Sequence, residues 1–552
     1  MEDASEITKL WSTKEQKEFS PLFTRQDEDY ELWDMTPSPS PSTGYESEVR
    51  SKTKEHSSGM TVTSNELRVF SDNVQSTLAS SDMQIMVRMA EAEGEDKRGD
   101  IGKLERLFYF ALEKGDERLA RLLLPPLREA TIWCSLVRGW VAGRFLVYKS
   151  GKNVIFDLVS WDPRWLVYEV GDDGFLWTGY KTFKSKAALE SLYKYPATTG
   201  NNEVIDFWKY IGEGKMGNAV VFNNVFLKKP EVYKMPSMPV LVKPISTRPP
   251  IAGTEGIKLK GYGESIFAPS RNIHALRNRF ASMVANHANQ MANQALINYK
   301  TELGRTIDST ANVPGGVLEL TMGENRLEPS PMKEISPTVV NMLAWLNDQM
   351  ERATLPKIPI DSPPPSGTLY NLATEAGNRV WNPQLRNLNY FYSDILRLIE
   401  EQMIAGGIKV KVQGEEKRKY YETQVTPIDL KRPHIIKVEF TARTPYTQMD
   451  TAQVAQMLKS LGLPDGWIWE NILKVQDPKA LADLAAIELF EHSPKGAMKR
   501  AIEALVETRG DIVAAQSLVR DLDRLEVSEQ MMAQGGVEGS PEAPAPPMEG
   551  VV

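Results

Sequence analysis

The stretch from Ser265 to Ile404 constrains this 552-residue chain more than any other. It begins with a helical run that carries almost no charge. After Pro269, Ile273, Leu276, Phe280, Met283, His287 and Met291 recur at spacings of 3, 4, 3, 4 and 4, one continuous seam of a helix. From Phe280 to Tyr299 there is no Lys, Arg, Asp or Glu, yet Asn286, Asn289, Gln290, Asn293, Gln294 and Asn298 are present. That is too polar for a membrane span. It suits a helix packed sideways on identical copies, where amides satisfy one another without like-charge repulsion.

The residues after this run are equally restrictive. Thr301–Glu334 is broken by Gly304, Gly315, Gly316 and Gly323, with Val317–Thr321 as its candidate strand. Ser336-Pro337 then opens a second helix, with Ser as N-cap and Pro at the first helical position. Val339, Leu343, Leu346 and Met350 form its stripe. Leu355–Gly367 is packed with prolines that donate no N–H, so it forms no regular element. A long helix is expected from about Leu369, interrupted near Pro383 and ended by Gly406-Gly407.

The flanks read more simply. Residues 1–65 are rich in Ser, Thr, Glu and Lys and read as a disordered acidic segment. Within it, Asp27–Asp34 interleaves acids with aromatics, as a solvated tail or a short segment that folds on a partner. Residues 80–140 read as helical, with Gly115 breaking one helix and Pro125-Pro126 the next. Residues 140–250 switch to strands. Phe145–Tyr148, Val154–Val159 and a hairpin over 165–180 with an Asp-Gly turn are expected there, with a second hairpin from Val204–Tyr210 to Ala219–Leu227. Ile408–Phe440 returns to strands. Asp450–Leu525 reads as a string of helices, and the residues after 530 as a disordered tail. The fold class is therefore α+β.

Charge and composition exclude several functions. The net charge of −8 is not uniform. Residues 1–60 hold 13 acidic against 7 basic residues and 526–552 hold five Glu with no cation, which leaves the body at +3. Such a body cannot grip DNA tightly, but it permits weak or sliding contact. The start Met1–Ser5 is acidic and polar, unlike a secretory leader. The lone Cys134 excludes an internal disulfide and a multi-cysteine zinc site. It sits in an apolar helix, which favours an inert thiol over a nucleophile. The histidines at 56, 274, 287, 434 and 492 lack metal-ligand spacing. Gly212–Asn218 lacks the spacing and hydroxyl of a phosphate loop and reads as a turn between strands. No cofactor, metal or catalytic residue is expected. Arg271, Arg277 and Arg279 are candidates to face DNA or a neighbouring subunit.

Taken in order, Gly261–Ile266, the Asn272-containing helix, Thr301–Glu334, Ser336–Thr354, Leu355–Gly367 and Tyr370–Glu375 resemble the portal (head-to-tail connector) proteins of tailed double-stranded DNA bacteriophages. The resemblance covers about residues 80–525. It implies a wing at 66–262, a first stem helix at 263–299 and a clip at 300–335. A second stem helix at 336–354, a tunnel loop at 355–368, a wing helix with β return at 369–446 and a helical crown at 447–528 would come next, then a tail at 529–552. It further implies a ring of twelve subunits at one capsid vertex, in the virion and, during assembly, the host cytoplasm. Its partners would be double-stranded DNA, the large terminase, adaptor or head-completion proteins, and the major capsid and scaffolding proteins, with no membrane. The loop candidates for DNA contact are Pro356, Lys357, Ile358, Asp361 and Ser366. Ile273, Leu276, Phe280, His287, Met291, Val339, Leu343 and Leu346 would pack the stem, and Arg305, Arg326 and Lys333 would dock partners at the clip. A minor capsid or adaptor protein, or a DNA-processing enzyme, are the alternatives.

Overall fold

The computed structural model describes residues 3–35, 62–89, 97–245 apart from 152, 173, 197–199 and 201, 254–292, 296–300, 325–329, 335–354, 367–416 and 419–441. Beyond these it describes helical pieces at 454–464, 467–468, 498–499, 501–502 and 517–522. Two compact units result, Met1–Arg443 and Thr444–Val552.

The first surprise is at the start. Residues expected to be disordered form α1 (Ala4–Lys14), a π-helical turn (Glu15–Phe19) and α2 (Ser20–Asp34). Composition hid a sparse apolar face: Ile7, Trp11, Phe19, Leu22 and Phe23 are all buried. They pack on a five-stranded antiparallel sheet ordered β4-β5-β6-β7-β8. Its strands are β4 (Leu166–Gly171), β5 (Gly174–Lys184), β6 (Asn202–Gly212), β7 (Lys215–Phe222) and β8 (Val225–Lys234). The expected 165–180 hairpin is β4–β5. Gly212–Lys215 is the β6–β7 turn, so the glycine-rich text there is a hairpin tip. The expected second hairpin needs correction, because Ala219–Leu227 spans a further reversal. Asn223 and Asn224 both take positive φ, 45° and 62°, which suits a tight two-residue turn.

The larger core gathers α3 (Glu66–Ala79), β1 (Asp82–Met89), α4 (Lys97–Arg121), α5 (Leu127–Trp133), β2 (Trp140–Ser150) and β3 (Asn153–Trp161). Residues 80–140 are thus not all helical, since β1 is a strand paired antiparallel with the much later β14 (His434–Thr441). Gly115 does not break α4. It lets the helix lie on β3, where an added Cβ would stand 2.7 Å from Leu158 Cδ1. A third sheet is ordered β3-β2-β9, with β9 at Val240–Pro244.

Four α-helices are described between this core and the long one: α6 (Lys186–Tyr193), α7 (Glu255–Gly261), α8 (Arg271–Ala292) and α9 (Pro337–Ala353). The strands β10 (Leu296–Lys300) and β11 (Asn325–Pro329) lie between the last two. The long helix α10 then runs Gly367–Ala405 and passes through Pro383 without interruption. Its described side chains bolt the core. Phe391 is fully buried and meets Phe145 edge-on at 5.7 Å. Gln402 accepts from Val147 N–H and donates to Phe145 C=O, both at 2.8 Å, where β9 no longer pairs with β2. Asn389 and Ser393 accept from the backbone N–H of Phe440 and Val438. Gly407, at φ 57°, lies just past the helix end. The hairpin β12 (Val410–Glu416) and β13 (Lys419–Val425) and the short α11 (Pro427–Leu430) complete this unit.

In the second unit the helix at 454–460 ends at Gly462, φ 85°, with Leu463 N–H on Leu458 C=O. The expected helical breaks beyond it, and the tail, lie outside the described residues.

Candidate functional site

The first of the two paired helices, α8, is shorter than the expected 263–299. Leu296–Lys300 is instead the strand β10, paired antiparallel with β11. Alternation of Leu296, Asn298 and Lys300 with Ile297 and Tyr299 fits a strand as well as a helix, so the uncharged run misled. The chain returns through α9, capped by Ser336 Oγ accepting from Thr338 N–H at 3.3 Å, as expected. The two helices pack together. Arg277 near the start of α8 donates to Asn347 Oδ1 near the end of α9 at 2.5 Å, so they run in opposite directions.

The base of α8 is held by charge. Asp29 from α2 is completely buried and accepts from Arg271 Nε and Nη2 at 2.8 and 3.0 Å. Burial pushes its carboxyl pKa up against the opposing pull of Arg271. Arg25 donates to the carbonyls of Lys260, Tyr262 and Gly263. Gly263 (φ 64°) lies so close to Gly139 (φ 70°) that a Cβ on Gly139 would stand 2.4 Å from the Gly263 carbonyl oxygen. Nearly two turns on, Arg277 pairs with Glu66 at 2.7 Å and donates to Ser64 Oγ. Ser64 and Val62 donate backbone N–H groups to Asn278 and Ser282. His274, 4% exposed, lies 3.2 Å from Ser64 Oγ, and burial lowers its pKa. Arg271 and Arg277 are therefore pins within the chain rather than free phosphate contacts.

Much of the rest of the pair is left open by the described residues. Leu346 and Met350 are buried. Ile273, Leu276, Phe280, His287, Val339 and Leu343 are only half-buried, and Met291 is 42% exposed. Met283, Val340 and Trp345 are exposed at 41%, 52% and 51%. The enclosed His287 Nε2 has no hydrogen-bond partner among the described residues. Arg305 and Lys333 lie outside the described residues, as do Pro356, Lys357, Ile358, Asp361 and Ser366. Arg326 lies on β11, and only its backbone is described.

Sequence reasoning missed Asp29 and the 62–66 grip. The acids interleaved with aromatics at 27–34 were the available signal for the first; no periodicity marks the second. Cys134 is 5% exposed and burial pushes its thiol pKa up, which fits an inert role. Among the described residues no group of three or more His, Cys, Asp or Glu is placed to hold a metal, and no helix is long and apolar enough to cross a membrane. No protein-family model matches the chain, and no curated protein matches it significantly.

Proposed function

We propose that this chain is a portal protein: the ring subunit at one capsid vertex through which double-stranded DNA enters and leaves. The observation that carries this is the order of elements: antiparallel helices α8 and α9 joined through the strand pair β10–β11, then the proline-packed segment 355–366, then the 39-residue α10 returning into the core. The helix pair is fixed at its base and leaves apolar side chains open. That arrangement is costly for a solitary chain and is relieved when each pair packs on copies of itself around a closed axis. On this reading the ring holds twelve copies, docks the large terminase and head-completion proteins, and touches capsid and scaffolding proteins at its rim. Channel contacts with DNA are weak and sequence-independent, because strong phosphate binding would stall movement.

Negative-stain electron microscopy of the recombinant protein with rotational averaging tests this. Turbine-like rings with a hole wide enough for a duplex are expected. Absence of any closed ring at high concentration would shift the reading to an adaptor or minor head protein. Within the ring, Lys357 is the proposed phosphate contact, and particles carrying Lys357→Glu should package DNA measurably more slowly. An unchanged rate removes that role.

A further inference from the structure

A second surface is defined by charge rather than by apolar exposure. Between the C-terminal third of α4, the β2–β3 turn and the start of β12 lies a cleft of about 800 Å3. Its rim holds five cations, Lys114, Arg118, Arg121, Lys409 and Lys411, against one acid, Glu117. Existing pairs absorb part of this charge. Glu117 meets Lys114 at 2.5 Å and Arg121 at 3.8 Å, Asp157 meets Arg118 at 3.1 Å, and Glu422 meets Lys411 at 3.1 Å. Three carboxylates for five cations still leave a surplus, and the exposed Lys149 adds to it. Arg121 and Lys411 are 81% and 70% exposed, so the surplus faces outward. Single-stranded nucleic acid is a poor occupant. The aromatic rings in the cleft, Phe110 and Phe156, meet each other edge-on at 6.3 Å, and Phe156 is buried, so no base-stacking platform is offered.

The chain itself contains a matching anion. Residues 90–96 read Ala-Glu-Ala-Glu-Gly-Glu-Asp, four carboxylates with no cation, and join β1 to α4. They cannot serve their own cleft. Ile85 and Val87 N–H bond to Tyr109 and Glu105 at 2.9 and 3.0 Å, so β1 runs toward the N-terminal end of α4 and its last residue, Met89, ends on the Ile101 side of that helix. Seven residues tied at both ends cannot reach more than about 14 Å from those ends, whatever form they take. Lys114 and Arg121 lie about 20 and 30 Å beyond Ile101 along the helix. A 25-residue helix of about 37 Å thus carries an acidic linker at one end and a cationic cleft at the other.

We propose that this cleft takes residues 90–96 of a second copy of the chain, a head-to-tail contact in which α4 of one subunit points its cationic end at the acidic linker of the next. Such a contact is heterologous and propagates until the rotation closes. It rests on the ring reading for that closure and names the residues of one of its seams. Being exposed and electrostatic, it weakens as salt rises.

Cross-linking between two separately made proteins tests it. One carries Glu93→Cys and the other Lys409→Cys; Lys409 is exposed, and native Cys134 is too buried to interfere. Mixed under mild oxidation, they should give a covalent dimer at least tenfold faster than Glu93→Cys mixed with Lys215→Cys, whose site at the β6–β7 turn does not line the cleft. An equal rate overturns the contact. Rings that form while the mixed pair stays uncross-linked overturn the contact and leave the ring reading standing. Cross-linked chains without rings support the contact and count against closure.

Discussion

The N-terminal arm and the α8–α9 pair invert what their compositions suggest. The arm is polar and acidic, yet Asp29, Gln26 and Arg25 are among the most buried polar residues described, at 0%, 0% and 2% exposure. The helix pair carries a long apolar seam, yet four of its large apolar side chains stand at 41% or more. The buried charges of the arm have partners within the chain: Asp29 holds Arg271, and Arg25 donates to three backbone carbonyls. Apolar surface in the pair is left uncovered by the described residues. The contrast separates a finished interface from an unfinished one better than hydrophobicity does.

If the arm is a finished interface, breaking it should be the most damaging change. Trp11 is 1% exposed, donates Nε1–H to the Gly179 carbonyl at 2.9 Å and packs so tightly on Gly179 that a Cβ there would stand 2.6 Å from its ring. Trp11→Ala should remove about 3–5 kcal/mol from the arm's docking. Limited proteolysis should then cut within residues 1–35 while leaving the rest intact. Protection equal to the parent would mean the arm does not depend on this anchor.

Asp29→Ala comes next. Removing one partner of a buried pair leaves the other charge stranded and costs about 3–5 kcal/mol when both are fully buried. Arg271 keeps 23% of its side chain exposed, so about 2–3 kcal/mol is expected from the same principle. Urea denaturation would read it as a lower midpoint, with Asp29→Asn recovering part of the loss. A midpoint equal to the parent's would make the pair ornamental.

These two regions also show what could be read in advance. Strand and helix alternation was legible wherever one face was apolar and turns carried Gly, Asn or Pro, as at β4–β5 and at Ser336-Pro337. The arm was illegible because five apolar residues spread over two helices carry no clear period against many charges. β1 was illegible because its pairing with β14 is made over about 350 positions, which no local window contains. The end of α8 was misplaced because Leu296–Lys300 suits either state and only its partner β11 decides. The grip of Ser64, Glu66 and Asp29 on α8 depends on three-dimensional approach, and spacing does not encode it.

The unfinished interface should behave in the opposite way. Val340→Thr should move monomer stability by no more than about 0.5 kcal/mol, and Trp345→Ser, which loses the covered half of its ring, by about 2 kcal/mol at most. Self-association measured by sedimentation should nevertheless weaken at least tenfold if the seam is where copies meet. Unfolding without loss of association would place the seam inside the monomer's own core and erase the contrast.

The smallest effect lies where the two regions meet. His274 sits on α8 but faces Ser64, Asn278, Arg277 and Glu66, and burial holds its folded pKa below the ordinary 6.5. Below pH 6.5 the unfolded chain takes up a proton that the folded chain resists. The contribution of neutral His274 is therefore fully present above pH 6.5 and is lost as pH falls from there toward the lowered folded value. The loss cannot exceed about 1.4 kcal/mol per pH unit. Melting temperature measured from pH 7.5 to 5 should fall more steeply in the parent than in His274→Gln, which cannot titrate. Parallel curves would mean that the 62–66 grip on α8 opens easily enough for the imidazole to be protonated in place, and that the base of the helix pair is as loosely held as its open remainder.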